Sequence, residues 1–306
     1  MKPDVSVVIP TYRRPRETLR AVRSTLAQPG VRSEVIVVDD GSPEPLKLTD
    51  VLLATGRVRL IRLAQNCGPA AARNAGVAEA HADTIAFLDS DDFMLPDTLA
   101  ARLAFLRGHQ GRRPTLACCG VWRWRAGATT RWSMPVEAAT VDALASGCWY
   151  FPGSTAMLSR DTWMQVGPHD PALRRLEDLD WGVRLGRVGG ALAVAPLIGA
   201  VVSASGPAPS ATVARAARRM LERYGPRGPH RLPSTPLRRL RAYLALELAR
   251  SAYGEGRKGG TLAHLLASIG RVPRATIHLG AWWTERPANS EEEHSIAELA
   301  RVLDQP

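Results

Sequence analysis

Residues 5–92 alternate between short apolar runs and stretches with helical spacing, and this alternation restricts the chain to few folds. The runs predict strands over residues 5–11, 34–38, 58–63 and 84–88, and the spacing predicts helices over residues 16–27, 46–54 and 70–80. Strands joined through helices pair in parallel, with right-handed crossovers. We therefore predict an α/β domain with a Rossmann-like, mostly parallel sheet flanked by helices.

Three carboxylates follow the fourth predicted strand, at Asp89, Asp91 and Asp92, with Ser90 between them. In an open α/β sheet, ligands bind at the carboxyl ends of the strands. Acids this close raise one another's pKa unless a positive charge lies nearby. A hard divalent cation that also contacts phosphate oxygens would fit. An acidic turn that caps a helix over residues 96–107, opened by Pro96, is an equal alternative on this stretch alone.

A second acidic pair, Asp39 and Asp40, follows the second predicted strand. Parallel strands bring these ends to the same edge of the sheet as Asp89. Asp40 could accept a hydrogen bond from a nucleobase N–H, because the following Gly41 permits close approach. An ordinary Asp-Gly turn is the alternative.

Two helix starts carry further candidate residues. Residues 68–76 are mostly small and include Arg73, whose guanidinium could bind a phosphate bidentately, and Asn74. This segment is not a G-x-G-x-x-G fingerprint, so it supports dinucleotide binding only weakly. Glu177 and Asp178 open a helix predicted over residues 177–188. Acids are favoured there by the helix dipole, and the position also suits a general base.

The second half of the chain is less regular. A strand pair is predicted at 115–124 and 131–134, with further strands at 153–159 and 191–195. Helices are predicted at 211–224, 237–254, 261–269 and 290–303, with a proline-rich linker at 226–236. These patterns predict one domain over residues 1–206 and a C-terminal helical extension over residues 207–306.

The net charge of +11 is concentrated between residues 212 and 258, which hold twelve Arg or Lys and three Glu. Such a segment suits an anionic membrane, an anionic acceptor or nucleic acid, and a solvated helical face is an equal alternative. No nucleic-acid motif accompanies it, so we expect no nucleic-acid partner. No signal peptide or apolar stretch of about 18 residues is evident, and the cysteines have no metal or redox spacing. We expect a cytoplasmic protein, with peripheral binding to the inner face of the cell membrane as one option.

Taken together, five segments make this sequence similar to the family 2 glycosyltransferases of the GT-A fold. They cover residues 7–12, 37–42, 68–76, 87–92 and 177–180, and the resemblance extends over roughly residues 4 to 200. It implies an inverting, hexosyl-type glycosyltransferase that uses Mn²⁺ or Mg²⁺. The donor would be a nucleotide-diphosphate sugar, with a UDP sugar favoured, and the product a polysaccharide or glycoconjugate.

The resemblance also assigns residue roles. Asp89 and Asp91 match the D-x-D acids that bind the metal, and Asp178 matches the catalytic base, with Glu177 beside it. The residues matched to nucleotide binding are Pro10, Thr11, Tyr12, Asp40, Arg73, Asn74 and Ser90. Asp92 is left as a turn or cap residue.

One departure concerns the metal. Many family members carry a histidine after the last strand, whereas residues 201–206 contain none. Water or diphosphate oxygens could supply the remaining ligands, and His169 and His230 are further candidates. The missing histidine motivates an alternative function as a catalytically weakened scaffold or sugar-nucleotide-binding protein. A nucleotidyltransferase would require a Gly-rich basic loop after the first strand, and residues 10–15 are not one.

The sequence does not identify the acceptor, which could be a glycan, a lipid-linked sugar or a small molecule. Aromatic side chains that could stack on it, or belong to the core, are Trp122, Trp124, Trp132, Trp149 and Tyr150.

Overall fold

The computed structural model describes residues 2–109, 111–124, 131–203, 206–272 and 283–305. The strands are β1 Val5–Thr11, β2 Ser33–Asp39, β3 Val58–Arg62, β4 Thr84–Phe87, β5 Phe93–Met94, β6 Thr115–Trp124, β7 Arg131–Pro135, β8 Met157–Ser159, β9 Ala191–Ser203 and β10 Trp283–Pro287. The helices are α1 Pro15–Leu26, α2 Asp50–Ala54, α3 Pro69–Ala78, α4 Leu99–Arg107, α5 Val141–Leu144, α6 Pro152–Thr155, α7 Arg160–Val166, α8 Glu177–Arg187, α9 Ser210–Tyr224, α10 Ser234–Gly254, α11 Lys258–Arg271 and α12 Ser290–Asp304.

One mixed sheet runs through the molecule in the order β10-β7-β6-β8-β4-β1-β2-β3. Strands β3, β2, β1 and β4 are parallel neighbours, which confirms the predicted α/β arrangement. Beyond β4 the pairing becomes mostly antiparallel, although β9 lies parallel to β6. The carboxyl ends of β1, β2 and β4 therefore meet at one edge of the sheet.

The parallel strands are buried on both faces, as is typical when helices cover both sides of a sheet. Every residue of β1 and β2 is buried. Val8 packs in the cluster that includes Ala72 of α3, whereas Val7 packs in the cluster that includes Val22 of α1. A Cβ on Gly76 would lie 2.3 Å from a methyl of Val8, so the small residues of α3 allow the helix to approach the sheet closely.

Several predicted bounds were wrong. Residues 152–155 form the helix α6 rather than a strand, because Pro152 stands at its first turn, after a left-handed Phe151. The predicted helix at 96–107 begins only at Leu99, since Asp97 has a φ of 60° that interrupts helical geometry. Helix α2 covers only the end of residues 46–54. Strand β9 continues well past residue 195, with a register irregularity against β6 around Gly120.

The residues after 206 pack onto the rest of the chain. Leu179 of α8 shares a core cluster with Val213 of α9 and Leu240 of α10. Strand β10, which the sequence did not predict, pairs with β7. Helix α12 lies near α1, where the Arg23 guanidinium donates to the Leu303 carbonyl at 2.9 Å. None of the helices in the described ranges is both long enough and apolar enough to cross a bilayer.

Candidate active site

A cleft of about 500 Å³ opens at the carboxyl ends of β1, β2 and β4, and we call it the N-terminal cleft. The predicted site residues that line it are Pro10, Thr11, Tyr12, Asp40, Arg73, Asp89, Ser90, Glu177 and Asp178. The structure thus brings together residues from five separate segments of the chain, as the shared sheet edge predicts. Asn74 and Asp91 do not line this cleft.

The ends of β1 and β2 form the first part of the lining. Thr11 is buried, and its hydroxyl lies 2.7 Å from that of Thr18 in α1. The carboxylate of Asp40 accepts hydrogen bonds from the backbone N–H groups of Cys67 and Gly68, at 2.7 and 2.8 Å. It therefore fixes the loop that leads into α3 while still facing the cleft.

The turn beside Asp40 requires a glycine. Gly41 has a φ of 67°, and a Cβ there would lie 2.4 Å from the backbone of Gln65. Asp39 has a structural role, because its carboxylate accepts from the backbone N–H of Ser42 at 3.0 Å and pairs with Arg62 at 2.8 Å.

Arg73 is the centre of the acidic part of the site. Its guanidinium, 4% exposed, lies 2.7 Å from the Asp89 carboxylate, 3.0 Å from that of Glu177 and 3.5 Å from that of Asp178. One buried cation therefore links the acid that follows β4 with both acids that open α8. The phosphate contact predicted for Arg73 would have to form while these three ion pairs hold it.

Glu177 and Asp178 differ in access. The Glu177 side chain is almost buried, whereas that of Asp178 is 22% exposed. Burial raises the pKa of Asp178, with Asp89 adding to the effect and Arg73 opposing it. Burial and the adjacent Asp178 also raise the pKa of Glu177. A carboxylate with a raised pKa is a stronger base, so Asp178 has the access and the environment of a general base.

Asp91 and Asp92, which follow β4, have different surroundings. Asp91 lies 3.1 Å from Arg14, and burial together with the Asp89 charge raises the pKa of Asp91. Asp92 is buried and structural: it accepts from the Ser154 hydroxyl and, at 2.8 Å, from the backbone N–H of Ser203. Burial, with Asp89 and Asp91, raises the pKa of Asp92 well above its usual value. Asp92 thus joins the turn to α6 and β9 rather than capping α4.

Few side chains at this site could bind a metal ion. Within the described ranges, no group of three or more His, Cys, Asp or Glu side chains is placed to hold a metal ion. Asp89 and Asp91 nevertheless offer carboxylate oxygens, which hard cations prefer, and the Asp89 charge adds to burial in raising the pKa of Asp91. Mg²⁺ is commonly held by one or two carboxylates, with water and substrate phosphates completing its coordination.

The two candidate histidines lie elsewhere. His169 is buried beside Phe87, Trp163 and Trp181, with ring centroids 5.4 to 6.2 Å away, and burial lowers its pKa to about 3. His230 is exposed on the segment between α9 and α10. Asn74 belongs to the His169 region, because its amide donates to the His169 carbonyl at 2.8 Å and accepts from the His169 N–H at 2.9 Å.

A second cleft of about 600 Å³, the C-terminal cleft, lies beside the first. Four residues line both clefts: Asp89, Arg175, Glu177 and Asp178. The C-terminal cleft is lined further by Phe151 and by Tyr243 of α10. All five aromatic residues considered from sequence belong to hydrophobic clusters or pack against them: Trp122, Trp124, Trp132, Trp149 and Tyr150. Trp124 packs edge-on against Phe93, with ring centroids 6.4 Å apart.

Several lining residues were missed from sequence. Arg14, Arg174 and Arg175 add positive charge to the N-terminal cleft. The Arg174 guanidinium also donates a hydrogen bond to the Asn66 carbonyl at 2.8 Å. Gly153 of α6 approaches Asp89 so closely that a Cβ there would lie 2.1 Å from the carboxylate. The sequence signal for Arg174 and Arg175 was their position just before Leu176 and Glu177.

A Rossmann-like sheet whose strand ends carry an acidic cleft, adjoined by a second cleft that shares three of its carboxylates, is the arrangement of a GT-A glycosyltransferase. The chain belongs to glycosyl transferase family 2, since the model of that family matches residues 6–167, more than half of its length. This membership confirms the family that the sequence resemblance indicated.

Curated relatives match over about a third of the chain. The chain is 46% identical over 97 residues to the succinoglycan biosynthesis protein ExoO of Rhizobium meliloti, covering 32% of this chain and 28% of that protein. It is 36% identical over 107 residues to the putative teichuronic acid biosynthesis glycosyltransferase TuaG of Bacillus subtilis, covering 34% and 42% respectively. The matched region therefore spans less than half of these relatives.

Solved structures share the fold over most of the chain. The S. aureus TarS structure has a TM-score of 0.59 at 18% identity, covering 90% of this chain and 50% of that chain. The structure of TarS residues 1–349 in complex with UDP has a TM-score of 0.55 at 18% identity, covering 99% and 88%. This likeness supports the GT-A fold.

Proposed function

We propose that this protein transfers a sugar from a nucleotide-diphosphate sugar, UDP-linked by preference, to an acceptor hydroxyl with inversion of configuration. One observation carries the proposal: Asp178 lines both clefts. The N-terminal cleft lies at the sheet edge, and the C-terminal cleft is lined by residues of α10. A donor in the N-terminal cleft and an acceptor in the C-terminal cleft would meet at this carboxylate. The UDP complex of TarS supports a UDP donor, and ExoO and TuaG support a polysaccharide or glycoconjugate product.

In this mechanism Asp178 takes the proton of the acceptor hydroxyl as the oxygen attacks the anomeric carbon. The new glycosidic bond forms while the bond to the diphosphate breaks, and the nucleoside diphosphate leaves with the electron pair. Attack from the face opposite the leaving group inverts the anomeric centre, so a single base suffices.

The diphosphate would lie among cations that the chain itself supplies. Arg14, Arg174 and Arg175 line the N-terminal cleft and could contact phosphate oxygens. Asp40 and Thr11 lie at the strand ends, where the nucleoside would bind. Mn²⁺ or Mg²⁺, held by Asp89 and Asp91 when bound, would neutralise charge on the departing diphosphate.

The first test is metal-dependent nucleotide binding. We expect UDP to bind with Mn²⁺ present, and Asp91→Ala to remove most of the gain in affinity that Mn²⁺ provides. The ratio of the UDP dissociation constants with and without Mn²⁺, from saturation-transfer NMR or calorimetry, is the appropriate readout. The ratio is needed because Asp91→Ala also frees Arg14 to contact phosphate.

Asp161→Ala is the matched control, since Asp161 is exposed in the first turn of α7. Nucleoside diphosphate release should then be measured with a panel of nucleotide sugars. The proposal is contradicted if no nucleotide binds in the presence of the metal, or if Asp91→Ala leaves turnover unchanged. Tight donor binding without turnover for any sugar or acceptor would favour the catalytically weakened scaffold instead.

We also propose that the protein docks on an anionic membrane through α11. Leu262 and Leu266 are each 59% exposed and, with the exposed Ile269, share one helical face. The exposed cations Arg257, Lys258 and Arg271 flank this face. Apolar residues beside cations favour binding at an anionic bilayer surface, where each Lys or Arg contributes about 1 kcal/mol.

Flotation with vesicles tests this docking. We expect the protein to float with phosphatidylglycerol-containing vesicles, to float less with pure phosphatidylcholine, and to be released by salt. Leu262→Ser with Leu266→Ser should weaken binding about tenfold or more through lost apolar burial. Val51→Ser with Leu53→Ser, at two exposed positions of α2, is the control. Equal flotation of the two double variants would rule out α11 as the docking face.

A further inference from the structure

One wall of the C-terminal cleft comes from outside the region that the family model matches. Leu246 and Arg250 of α10 line the cleft, and α10 follows residue 167, where that match ends. Arg123, near the end of β6, lines the same cleft. Its guanidinium lies over the Phe151 ring, 5.6 Å from the ring centroid. Phe151 immediately precedes α6, whose Gly153 contacts Asp89, so this wall is continuous with the proposed catalytic acids.

This wall carries the guanidinium groups of Arg123 and Arg250. Glu285 of β10 is ion-paired with Arg123 and lies 3.8 Å from Arg131, so one carboxylate serves two guanidinium groups. Arg250 is exposed and has no ion pair within the described ranges. Burial lowers the pKa of Arg123, with Glu285 opposing the effect and Arg131 and Arg250 adding to it.

Glu247, the acidic residue on this part of α10, already interacts with two other side chains. Glu247 accepts a hydrogen bond from the Tyr243 hydroxyl at 3.1 Å and lies 3.8 Å from Arg175. It therefore compensates Arg175 rather than Arg250. Arg123 and Arg250 both line the C-terminal cleft. Guanidinium groups bind oxyanions well, because their fixed N–H donors match carboxylate and phosphate geometry.

We propose that the acceptor carries an oxyanion, a phosphate or a carboxylate, which Arg123 and Arg250 bind in the C-terminal cleft. This inference rests on the proposed function, since it takes the C-terminal cleft as the acceptor site. The oxyanion contact would hold the acceptor so that its hydroxyl reaches Asp178, and neutral acceptors would lack that anchor.

Binding of three probes tests the proposal. Methyl β-glucoside, methyl β-glucuronoside and glucose 6-phosphate are neutral, carboxylate-bearing and phosphate-bearing, and each is titrated into the full chain saturated with UDP and Mn²⁺. We expect at least one anionic probe to bind about tenfold more tightly than the neutral one, with salt weakening that preference. The comparison of the two anionic probes identifies which oxyanion is preferred.

Arg250→Gln should remove the preference, and Arg250→Lys should retain part of it. Arg241→Gln is the matched control, because Arg241 is exposed on α10 but does not line the cleft. Equal binding of all three probes, absence of any probe binding, or an unchanged preference in Arg250→Gln would overturn the inference. Weaker UDP binding in Arg250→Gln would also overturn it, since the cleft would then serve the donor. Failure of UDP itself to bind the wild-type chain would reject the proposed function as well, which separates the two outcomes.

Discussion

Asp178→Asn should lower the rate of sugar transfer by about 10²–10⁴-fold while leaving donor affinity close to that of the wild-type chain. The asparagine has almost the same shape but cannot accept the proton of the acceptor hydroxyl. Asp178 is also the most distant of the three carboxylates from Arg73, at 3.5 Å, whereas Asp89 and Glu177 lie at 2.7 and 3.0 Å. The two shorter ion pairs should therefore keep the site assembled in the variant.

Two measurements decide this prediction. Nucleoside diphosphate release in the presence of an acceptor reports transfer, and saturation-transfer NMR with the nucleotide sugar reports donor binding. Asp161→Asn is the control, because it makes the same change at an exposed acid in the first turn of α7. Lost donor binding in Asp178→Asn would mean that the residue holds the donor, and unimpaired transfer would place the base elsewhere.

The first half of the fold could be predicted because its signals are local. Strands β1 to β4 and their helices follow from apolar periodicity within short windows. The assembly of Thr11, Asp40 and Asp89 at one edge then follows from parallel pairing, whatever the strand order. The alternation of strands and helices thus predicted both the sheet and most of the cleft.

The contacts that complete the site could not be predicted in this way. Arg73 meets Glu177 across 104 positions of sequence, and no local period connects them. Read on its own, the segment around Arg73 suggested a phosphate ligand, whereas its first partners are the protein's own acids. Asn74, matched to nucleotide binding, instead has both polar groups of its amide bonded to the His169 backbone. Gly153 of α6 gave no signal, because its role depends on Asp89, which follows β4 in a distant part of the sequence.

The central position of Arg73 leads to the second large prediction, which concerns stability. Arg73→Met should lower the free energy of unfolding by about 3–5 kcal/mol, since it leaves buried carboxylates without their counter-ion. Arg73→Lys should lower it less, because an ammonium keeps the charge but cannot contact three separate carboxylates with a planar fork. Urea unfolding followed by circular dichroism measures both changes. Arg215→Met, at an exposed position of α9, controls for the effect of the methionine itself.

The same variant separates the role of Arg73 from that of a metal. If Arg73 mainly neutralises the acids, added Mn²⁺ should raise the melting temperature of Arg73→Met more than that of the wild-type chain, because the cation can replace the missing charge at Asp89. A stability equal to that of Arg215→Met would show that the three carboxylates do not need the guanidinium. An unfolding change of the expected size with no Mn²⁺ rescue would instead assign Arg73 a positional role, in which its fork fixes Asp89 relative to Asp178. In either case the guanidinium connects the acid on the sheet edge to the proposed base on α8, and transfer should depend on that connection.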